Sequence, residues 1–223
     1  MPHQRIVQKT EDGWPTFFIP EIDETYHSCY GARTESRHIY IEQGLAQSSQ
    51  TAPVVLDVGF GTGLNAFETY LYAEQNKTNV YLYAIEKHIL SSAEIDSLNI
   101  QNILNAKDFS IFKQLHDCSW NKTHTISPYL SIHKIQGDIQ NSTHIPSHID
   151  VVYFDAFAPS KEKELWNESV FKTLHAHMSL HGILTTYCVK GDVKRSLKNC
   201  GFSISKIPGP PNGKRENLRA VKI

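Results

Sequence analysis

The sequence predicts an α/β fold in which seven strands form one mostly parallel sheet, with a single antiparallel strand near the C-terminus. Short apolar segments alternate with stretches whose apolar residues recur at helical spacing, which is typical of a parallel sheet covered by helices. A glycine-rich turn directly follows the first of these segments, residues 54–58. Near the C-terminus, segments 202–207 and 217–222 are joined by a Pro- and Gly-rich stretch that is too short for a crossover helix.

Each element is predicted from apolar periodicity and from the turn residues that bound it. Strands are expected at residues 54–58, 80–85, 132–136, 150–155, 182–188, 202–207 and 217–222. Helices are expected at residues 36–45, 64–75, 88–98, 164–178 and 192–200. Residues 99–131 are polar and irregular, and we expect an insertion there. Residues 51–223 are expected to form the α/β unit, and residues 1–50 to form a segment that caps its ligand site. Together they are expected to make one structural domain.

Composition excludes several classes of protein. The 223 residues are 40% hydrophobic and 20% charged, which is ordinary for a globular domain and argues against global disorder. No apolar run is long enough to span a membrane, and the first ten residues lack the apolar core of a signal peptide. The four cysteines are far apart, so neither a disulfide framework nor a metal site is expected. We expect a reduced, cytoplasmic protein, either monomer or homodimer.

Three glycines, Gly59, Gly61 and Gly63, lie between the first predicted strand and the first core helix. Glycine lets the backbone turn sharply and lets a ligand approach closely, while the helix N-terminus offers N–H groups to an anion. The spacing is GxGxG rather than the GxGxxG of pyrophosphate binders, so the anion favoured here is the methionine carboxylate of S-adenosylmethionine. The alternative is a structural turn without a ligand.

Three acidic residues follow other predicted strands at the same edge of the sheet. Glu86 ends the second strand, where a carboxylate can accept both ribose hydroxyls of an adenosine. Asp138 follows the third strand and could accept from the adenine amine. Asp155 ends the fourth strand, where a carboxylate could take a proton from an amine nucleophile. The alternatives are a surface glutamate at Glu86, a turn-forming Gly-Asp at Asp138 and an Asx turn before Pro159.

Positive charge is concentrated in residues 186–223, which hold nine lysines and arginines against two acidic residues, although the whole chain has a net charge of −1. Such a surface can bind a polyanion. The candidate substrate-binding cations are Lys190, Lys214 and Arg215, together with Lys161, which follows Asp155. The alternative is a solvated charged surface.

The motifs together resemble a known family, the methyltransferase half of the bifunctional tRNA 5-methylaminomethyl-2-thiouridine biosynthesis proteins. The matching segments are the DETYHS stretch at 23–28, Gly31 with the Glu-Ser-Arg at 35–37, GFGTGLN at 59–65, Glu86-Lys87, Gly-Asp-Ile at 137–139, DAFAPSK at 155–161 through Trp166, and GKRE at 213–216. The chain is similar to a stand-alone form without the oxidase half.

The resemblance implies a Rossmann-like S-adenosylmethionine-dependent methyltransferase fold and methyl transfer to the aminomethyl group of a modified wobble uridine in tRNA. By position, Gly59, Gly61, Gly63, Glu86 and Asp138 would bind the cofactor and Asp155 would contact the reacting amine. Three further residues would help to close the cofactor pocket: Tyr26, Ser28 and Glu35. A separate FAD-dependent oxidase is the implied functional partner.

Two departures from the family pattern are Asn217, where methionine is usual, and Val189-Lys190, where small residues and a serine are usual. The second departure lies near the expected substrate mouth. Two other functions stay open at this point: methylation of a small amine or other metabolite, and a non-catalytic binding module with a cofactor-type fold.

Overall fold

A computed structural model of the protein describes residues 4–141, 144–211, 213 and 215–223. The chain begins with a small antiparallel sheet of three strands: β1 (Ile6–Lys9), β2 (Pro15–Ile19) and β3 (Glu24–Thr25). Helix α1 (Ala32–Ser36) then continues directly into a π-helix, Arg37–Glu42, and a 3₁₀ turn follows at Leu45–Gln47. The helix predicted at residues 36–45 therefore begins and ends earlier than expected.

Eight further strands form the main sheet. They are β4 (Val54–Val58), β5 (Val80–Glu86), β6 (Thr123–Ser127), β7 (Leu130–Gln136), β8 (Ile149–Phe154), β9 (Met178–Thr186), β10 (Phe202–Pro208) and β11 (Glu216–Lys222). Their order across the sheet is β10-β11-β9-β8-β4-β5-β7-β6. The five central strands β9, β8, β4, β5 and β7 are parallel, and β11 is antiparallel to both of its neighbours. The predicted mostly parallel sheet with an antiparallel C-terminal strand is confirmed.

Helices connect the parallel strands. They are α2 (Leu64–Asn76), α3 (Ser92–Ser97), α4 (Ala106–Asp117), α5 (Glu168–His177) and α6 (Gly191–Asn199), with 3₁₀ turns at Ile100–Asn102 and Lys163–Trp166. Two apolar clusters of buried residues, one containing Phe67 and the other containing Phe171, include alternate residues of the same strands. In β4, Val55 belongs to the first cluster and Leu56 to the second, as expected for a sheet buried on both faces.

The sheet has eight strands, not the seven predicted. The additional strand is β6, which pairs antiparallel with β7 at the edge of the sheet, with Thr123 opposite His133. Its sequence is Thr-His-Thr-Ile-Ser, in which Ile126 alone is buried. An edge strand that buries one apolar side chain carries almost no alternating pattern, so residues 99–131 look irregular in the sequence. The same region also contains α4.

The N-terminal residues pack against α2 through both apolar and charged contacts. The Trp14 ring stacks on Phe67 with their centroids 6.1 Å apart. Glu68 on α2 is 2% exposed and forms ion pairs with Arg33 and with Arg37, the latter at 2.6 Å. Removing the guanidinium partners of a buried carboxylate strongly destabilises the folded protein, because the charge is then left unpaired. These contacts fix residues 32–42 beside the carboxyl ends of the central strands.

Candidate active site

A cavity of about 490 Å³ lies at the carboxyl edge of the parallel strands, the edge at which sheets of this kind bind ligands. The wall is built from the segments that follow β4, β5, β7 and β8, and from residues 24–30 of the N-terminal part. Eight residues expected at the cofactor or catalytic site line it: Tyr26, Ser28, Glu35, Gly59, Gly61, Glu86, Asp138 and Asp155. Four strand ends and one N-terminal segment therefore converge on one space.

The glycine loop after β4 requires glycine for two separate reasons. Gly59 has φ +99°, and a Cβ there would lie 2.8 Å from the Asp155 carbonyl oxygen. Gly61 has φ +50°, and a Cβ there would lie 3.2 Å from the Tyr26 ring. The N–H groups of Gly59 and Phe60 both donate to the Ile85 carbonyl, which ties the loop to β5. A larger residue would displace the loop from the β8 end or from Tyr26.

Gly63 differs from the other two glycines because it does not line the cavity among the described residues. It is the N-cap of α2, in a left-handed conformation, and a Cβ there would lie 2.8 Å from His116 Nε2. The cavity side of this turn is formed instead by Thr62, Leu64 and Asn65. Gly63 therefore sets the start of the helix whose N-terminus faces the cavity.

Glu86, the last residue of β5, accepts two backbone hydrogen bonds. Gly61 N–H donates to Oε2 at 2.9 Å, and His88 N–H donates to Oε1 at 2.6 Å. A carboxylate has about four acceptor positions, so these two bonds leave capacity for a diol. The side chain is therefore oriented by the loop that it faces, and it is positioned to accept from a ribose.

Asp138 lies after β7, the strand that pairs with β5, where the Gly137 N–H donates to the Glu86 carbonyl at 2.9 Å. Its Oδ2 accepts from Lys87 Nζ at 2.9 Å, and its Oδ1 accepts from the Gln140 N–H at 3.0 Å. Burial by itself would raise the pKa of Asp138, but the Gln140 N–H and the Lys87 ammonium together hold it below the usual value. Asp138 is therefore an ionised acceptor on the cavity wall.

Asp155, directly after β8, is held by two side-chain donors. Tyr40 OH donates to Oδ1 at 2.6 Å, and Asn65 Nδ2 donates to Oδ2 at 2.8 Å. The orientation of Asn65 is in turn set by the Ser36 hydroxyl, which donates to its Oδ1 at 2.6 Å. The carboxylate is thus fixed at the wall by groups from α2 and from the N-terminal helical segment.

Asp57, within β4, is completely buried next to this network. Its Oδ1 accepts from Asn65 Nδ2 at 3.3 Å, and its Oδ2 has no hydrogen-bond partner among the described residues. Burial raises the pKa of Asp57 well above its usual value, and the nearby Asp155 charge raises it further against the opposing Asn65 bond. Asp57 does not itself line the cavity among the described residues, so it meets the site only through Asn65, which does.

These groups fit S-adenosylmethionine, the cofactor that the sequence predicts. Glu86 would hold its ribose hydroxyls and Asp138 its adenine amine. The glycine loop and the N-terminus of α2 would hold the methionine carboxylate, because the first N–H groups of a helix attract an anion. The cavity volume lies within the usual range for small-molecule sites.

The N-terminal wall is stabilised by its own contacts. Tyr26 OH accepts from Arg5 Nε at 2.9 Å, and its ring meets the Phe157 ring edge-to-face at 5.1 Å. Glu35 Oε1 accepts from the Ser28 N–H at 3.2 Å. The three residues that the family resemblance placed over the cofactor therefore form one side of the cavity.

The predicted substrate-binding cations lie elsewhere. Lys161, Lys190 and Arg215 are exposed and do not line the cavity among the described residues. Lys214 lies outside the described residues. Lys161 follows β8, Lys190 follows β9, and Arg215 precedes the antiparallel β11, so all three lie at the carboxyl edge of the sheet.

Several residues at the site were assigned no role from the sequence, although some of them, such as Ser36, lie within the segments that match the family. Tyr40 and Ser36 reach the site from the N-terminal helical segment, across 115 residues in the case of Tyr40 and Asp155. Asn65 belongs to the GFGTGLN motif, which could have indicated it. The remaining unpredicted lining residues include Glu24, His27, Phe157, Glu162 and Tyr187.

None of the helices in the described part of the chain is both long and apolar enough to cross a membrane.

Comparison with known proteins places this chain in a family. The profile of the S-adenosyl-L-methionine-dependent methyltransferase family matches residues 101–223. The chain is 27% identical to the tRNA 5-methylaminomethyl-2-thiouridine biosynthesis bifunctional protein MnmC of Methylobacillus flagellatus, over 97% of this chain and 35% of that protein. The protein of the same name from Cupriavidus metallidurans is 27% identical over 93% of this chain and 32% of its own length. The chain thus spans about a third of the length of these curated relatives.

Solved structures give the same fold. The crystal structure of MNMC2 from Aquifex aeolicus superposes with a TM-score of 0.78 at 23% identity, covering 98% of this chain and 70% of that one. Spermidine synthase from Thermotoga maritima superposes with a TM-score of 0.55 at 12% identity, covering 99% and 73%. The resemblance and the methyltransferase fold expected from the motifs are confirmed. With its profile match extending over more than half of the chain, the protein belongs to the S-adenosyl-L-methionine-dependent methyltransferase family.

Proposed function

We propose that this methyltransferase acts on the amine nitrogen of a 5-aminomethyl group on the wobble uridine of tRNA. The observation that carries the proposal is Asp155, a carboxylate fixed by Tyr40 and Asn65 in the wall of the cofactor cavity. The names of the relatives matched over nearly the whole of this chain support the same substrate. An amine needs a nearby acceptor to become and remain a nucleophile, and Asp155 is suited to that role.

The chemistry required of the chain is positioning and proton transfer. When bound, the cofactor would supply a methyl group on a positively charged sulfur, which is left as a neutral thioether when the carbon–sulfur bond breaks. Asp155 accepts a hydrogen bond from the neutral amine and directs the nitrogen lone pair toward the methyl carbon. The nitrogen then gains the methyl group and carries a positive charge, and Asp155 takes the proton that leaves it. The product is a neutral secondary amine.

The tRNA would bind along the carboxyl edge of the sheet. Lys161, Lys190 and Arg215 lie at that edge, and Lys214 is adjacent in sequence. Phosphate contacts of this kind orient the nucleic acid without reading sequence, while the cavity selects the extruded base. Other cations of the C-terminal region are engaged elsewhere: Lys206 pairs with Glu216, and Lys222 Nζ donates to the carbonyls of His175 and Met178.

The domain organisation that fits this function is a methyltransferase domain, residues 51–223, covered by residues 1–50 as a cap over the cofactor. Tyr26, Ser28 and Glu35 lie on that side of the cavity. Because the curated relatives are about three times as long and are named as bifunctional, we also propose a functional partnership with a separate FAD-dependent oxidase.

A small cationic amine is the second candidate substrate. The cavity wall contains Glu24, Glu35, Glu162 and Glu164 in addition to the acids assigned above, and the net charge of the chain is −1. A negatively charged wall attracts an ammonium ion whether or not it belongs to a nucleic acid.

One assay separates the two candidates. The protein is incubated with methyl-labelled S-adenosylmethionine and either total tRNA from a strain that accumulates the unmethylated aminomethyl uridine or a panel of small diamines and polyamines. We expect label in the wobble nucleoside after digestion and mass spectrometry, with tRNA from a fully modified strain as the control. Labelling of a small amine with no label in tRNA would replace the proposed substrate.

A further inference from the structure

The N-terminal helical segment contributes two hydroxyl groups to the network around Asp155. Ser36 ends α1, and Tyr40 lies four residues later in the π-helix, so both project from one side of the same segment. π-helical turns are rare, and they are frequent at functional sites because they re-aim a side chain. Here the Tyr40 hydroxyl reaches Asp155 at the end of β8, and the Ser36 hydroxyl reaches Asn65 on α2.

The directions of the hydrogen bonds in this network are fixed. The Ser36 hydroxyl donates to Asn65 Oδ1, which leaves the Asn65 amide nitrogen to donate to Asp155 Oδ2 at 2.8 Å. The Tyr40 hydroxyl donates to Asp155 Oδ1 at 2.6 Å, a length typical of a bond to a charged oxygen. The two carboxylate oxygens thus accept from two different side chains.

Tyr40 is suited to act as a donor throughout the reaction. The side chain is 1% exposed, and its ring packs against the Tyr153 ring with centroids 5.5 Å apart. Burial raises the pKa of Tyr40 well above its usual value, and the neighbouring Asp155 charge raises it further. The hydroxyl therefore keeps its proton and stabilises the ionised form of the carboxylate.

We propose that Tyr40 is a positioning residue for Asp155, with Ser36 acting through Asn65 as the second: together they keep the carboxylate ionised and hold its plane against the reacting amine. The inference rests on the role proposed above for Asp155. It assigns to the N-terminal segment a part in the reaction itself, in addition to covering the cofactor.

Other titratable groups surround the same carboxylate and enter its pH dependence. Asp57 on β4 and Tyr187 after β9 interact electrostatically with Asp155 itself, and Glu24, Glu35, Glu86 and Cys188 interact with Asp57, Tyr40 or Tyr187 beside it. Substitutions at Tyr40 and Tyr153 leave this set unchanged, so a difference between the two variants reports on the hydroxyl at Asp155.

The test compares Tyr40→Phe and Ser36→Ala with Tyr153→Phe. Tyr153 is the matched control because it is completely buried and lies beside Tyr40, but its hydroxyl pairs with Thr69 at 3.2 Å. In the protein without substrate, ¹³C-labelled aspartate is titrated by NMR, with the Asp155 resonance assigned from Asp155→Asn. We expect the Asp155 pKa to rise by about one to two units in Tyr40→Phe, less in Ser36→Ala, and not in Tyr153→Phe.

The pH dependence of kcat/KM is the second measurement. In Tyr40→Phe the acid limb of the kcat/KM profile should move to higher pH by the same interval, with cofactor affinity unchanged. An unchanged Asp155 pKa in a folded Tyr40→Phe variant overturns the proposal. If the pKa rises but the wild-type protein methylates no tRNA, the positioning role stands and the proposed substrate fails. If Tyr153→Phe shifts the profile equally, the effect is general packing and the proposal is wrong.

Discussion

Glu86 Oε2 accepts a hydrogen bond from the Gly61 N–H at 2.9 Å, so the last residue of β5 and the middle of the glycine loop are joined directly. The second oxygen accepts from His88 N–H. The two segments that would bind the cofactor are therefore coupled before a ligand arrives, and Glu86 is oriented in advance. Preorganisation of this kind lowers the entropic cost of binding.

Replacing Glu86 should weaken cofactor binding. Glu86→Ala removes charge-assisted hydrogen bonds worth about 1.5–3 kcal/mol, which is roughly a 10- to 100-fold loss of affinity for S-adenosylmethionine or its demethylated product. Isothermal titration calorimetry measures the change, and Glu42→Ala on the exposed side of the π-helix is the control. NAD should not bind either protein, because the loop has GxGxG spacing. Unchanged affinity in Glu86→Ala would remove this residue from the site.

Asp155 should be required for methyl transfer and dispensable for cofactor binding. Asp155→Asn keeps the shape of the side chain but removes the charge and half of the acceptor capacity, and a loss of about 10²- to 10⁴-fold in kcat is typical of a positioned acid or base. Single-turnover methylation measures the loss, with calorimetry as the control for binding. Near-normal turnover contradicts the assignment, and an unfolded variant would favour a structural turn before Pro159.

The exposed cations at the carboxyl edge should bind tRNA phosphates. Lys190→Ala combined with Arg215→Ala is expected to weaken tRNA binding and to flatten its dependence on salt by about one unit of slope for each phosphate that is no longer neutralised. Cofactor affinity should not change. The matched control is Lys77→Asn with Lys107→Ala, since Lys77 is the C-cap of α2 and Lys107 is in the first turn of α4, and neither lines the cavity. Equal tRNA affinity in both double variants would identify the surface as merely solvated.

The buried histidines should make stability pH-dependent. Burial lowers the pKa of His116 and of His27 to about 4 in the folded protein, below the ordinary value of 6.5. The unfolded chain therefore takes up protons first, so stability is complete above about pH 6.5 and is lost as the pH falls toward 4. Each histidine contributes at most about 1.4 kcal/mol per pH unit.

Substitution separates this contribution from the rest of the acid unfolding. His116 Nε2 contacts the Thr62 carbonyl at 3.0 Å, and a glutamine amide can donate to the same oxygen without titrating. Urea unfolding of His116→Gln between pH 6.5 and 4 should show a shallower fall in the free energy of unfolding than wild type. His144→Gln, which removes an exposed histidine, is the control. A slope equal to that of wild type would show that His116 does not titrate in this range.

The buried Asn217 should lower the free energy of unfolding of the wild-type protein. Its side chain is completely buried in β11, and neither amide atom has a hydrogen-bond partner among the described residues. An unsatisfied buried amide costs about 1–3 kcal/mol, and a leucine of similar volume avoids that cost. Asn217→Leu is expected to raise the free energy of unfolding in urea by about that amount, whereas Asn217→Asp should lower it. A destabilised leucine variant would show that the amide is satisfied.

The elements that depend on local pattern could be predicted from the residues alone. The strand–turn–helix at residues 54–76, the acids Glu86, Asp138 and Asp155 at strand ends, and the antiparallel C-terminal hairpin could all be predicted, because parallel strands bring their carboxyl ends to one edge whatever the details of packing. Glycine spacing was informative for the same reason, since a positive φ excludes most other residues.

Contacts between segments that are far apart in sequence depend on how those segments pack in the folded protein. Strand β6 forms because β7 offers an edge, although its own residues carry almost no apolar alternation. Gly63 turned out to define the helix start rather than the cavity wall, because His116 packs against it. The bond from Tyr40 to Asp155 spans 115 residues and depends on how α1 and the π-helix lie against α2. A tyrosine or serine in a helix looks the same in sequence whether its hydroxyl faces solvent, a backbone carbonyl or a catalytic carboxylate. Its partner depends on how the helix packs against the other elements of the fold.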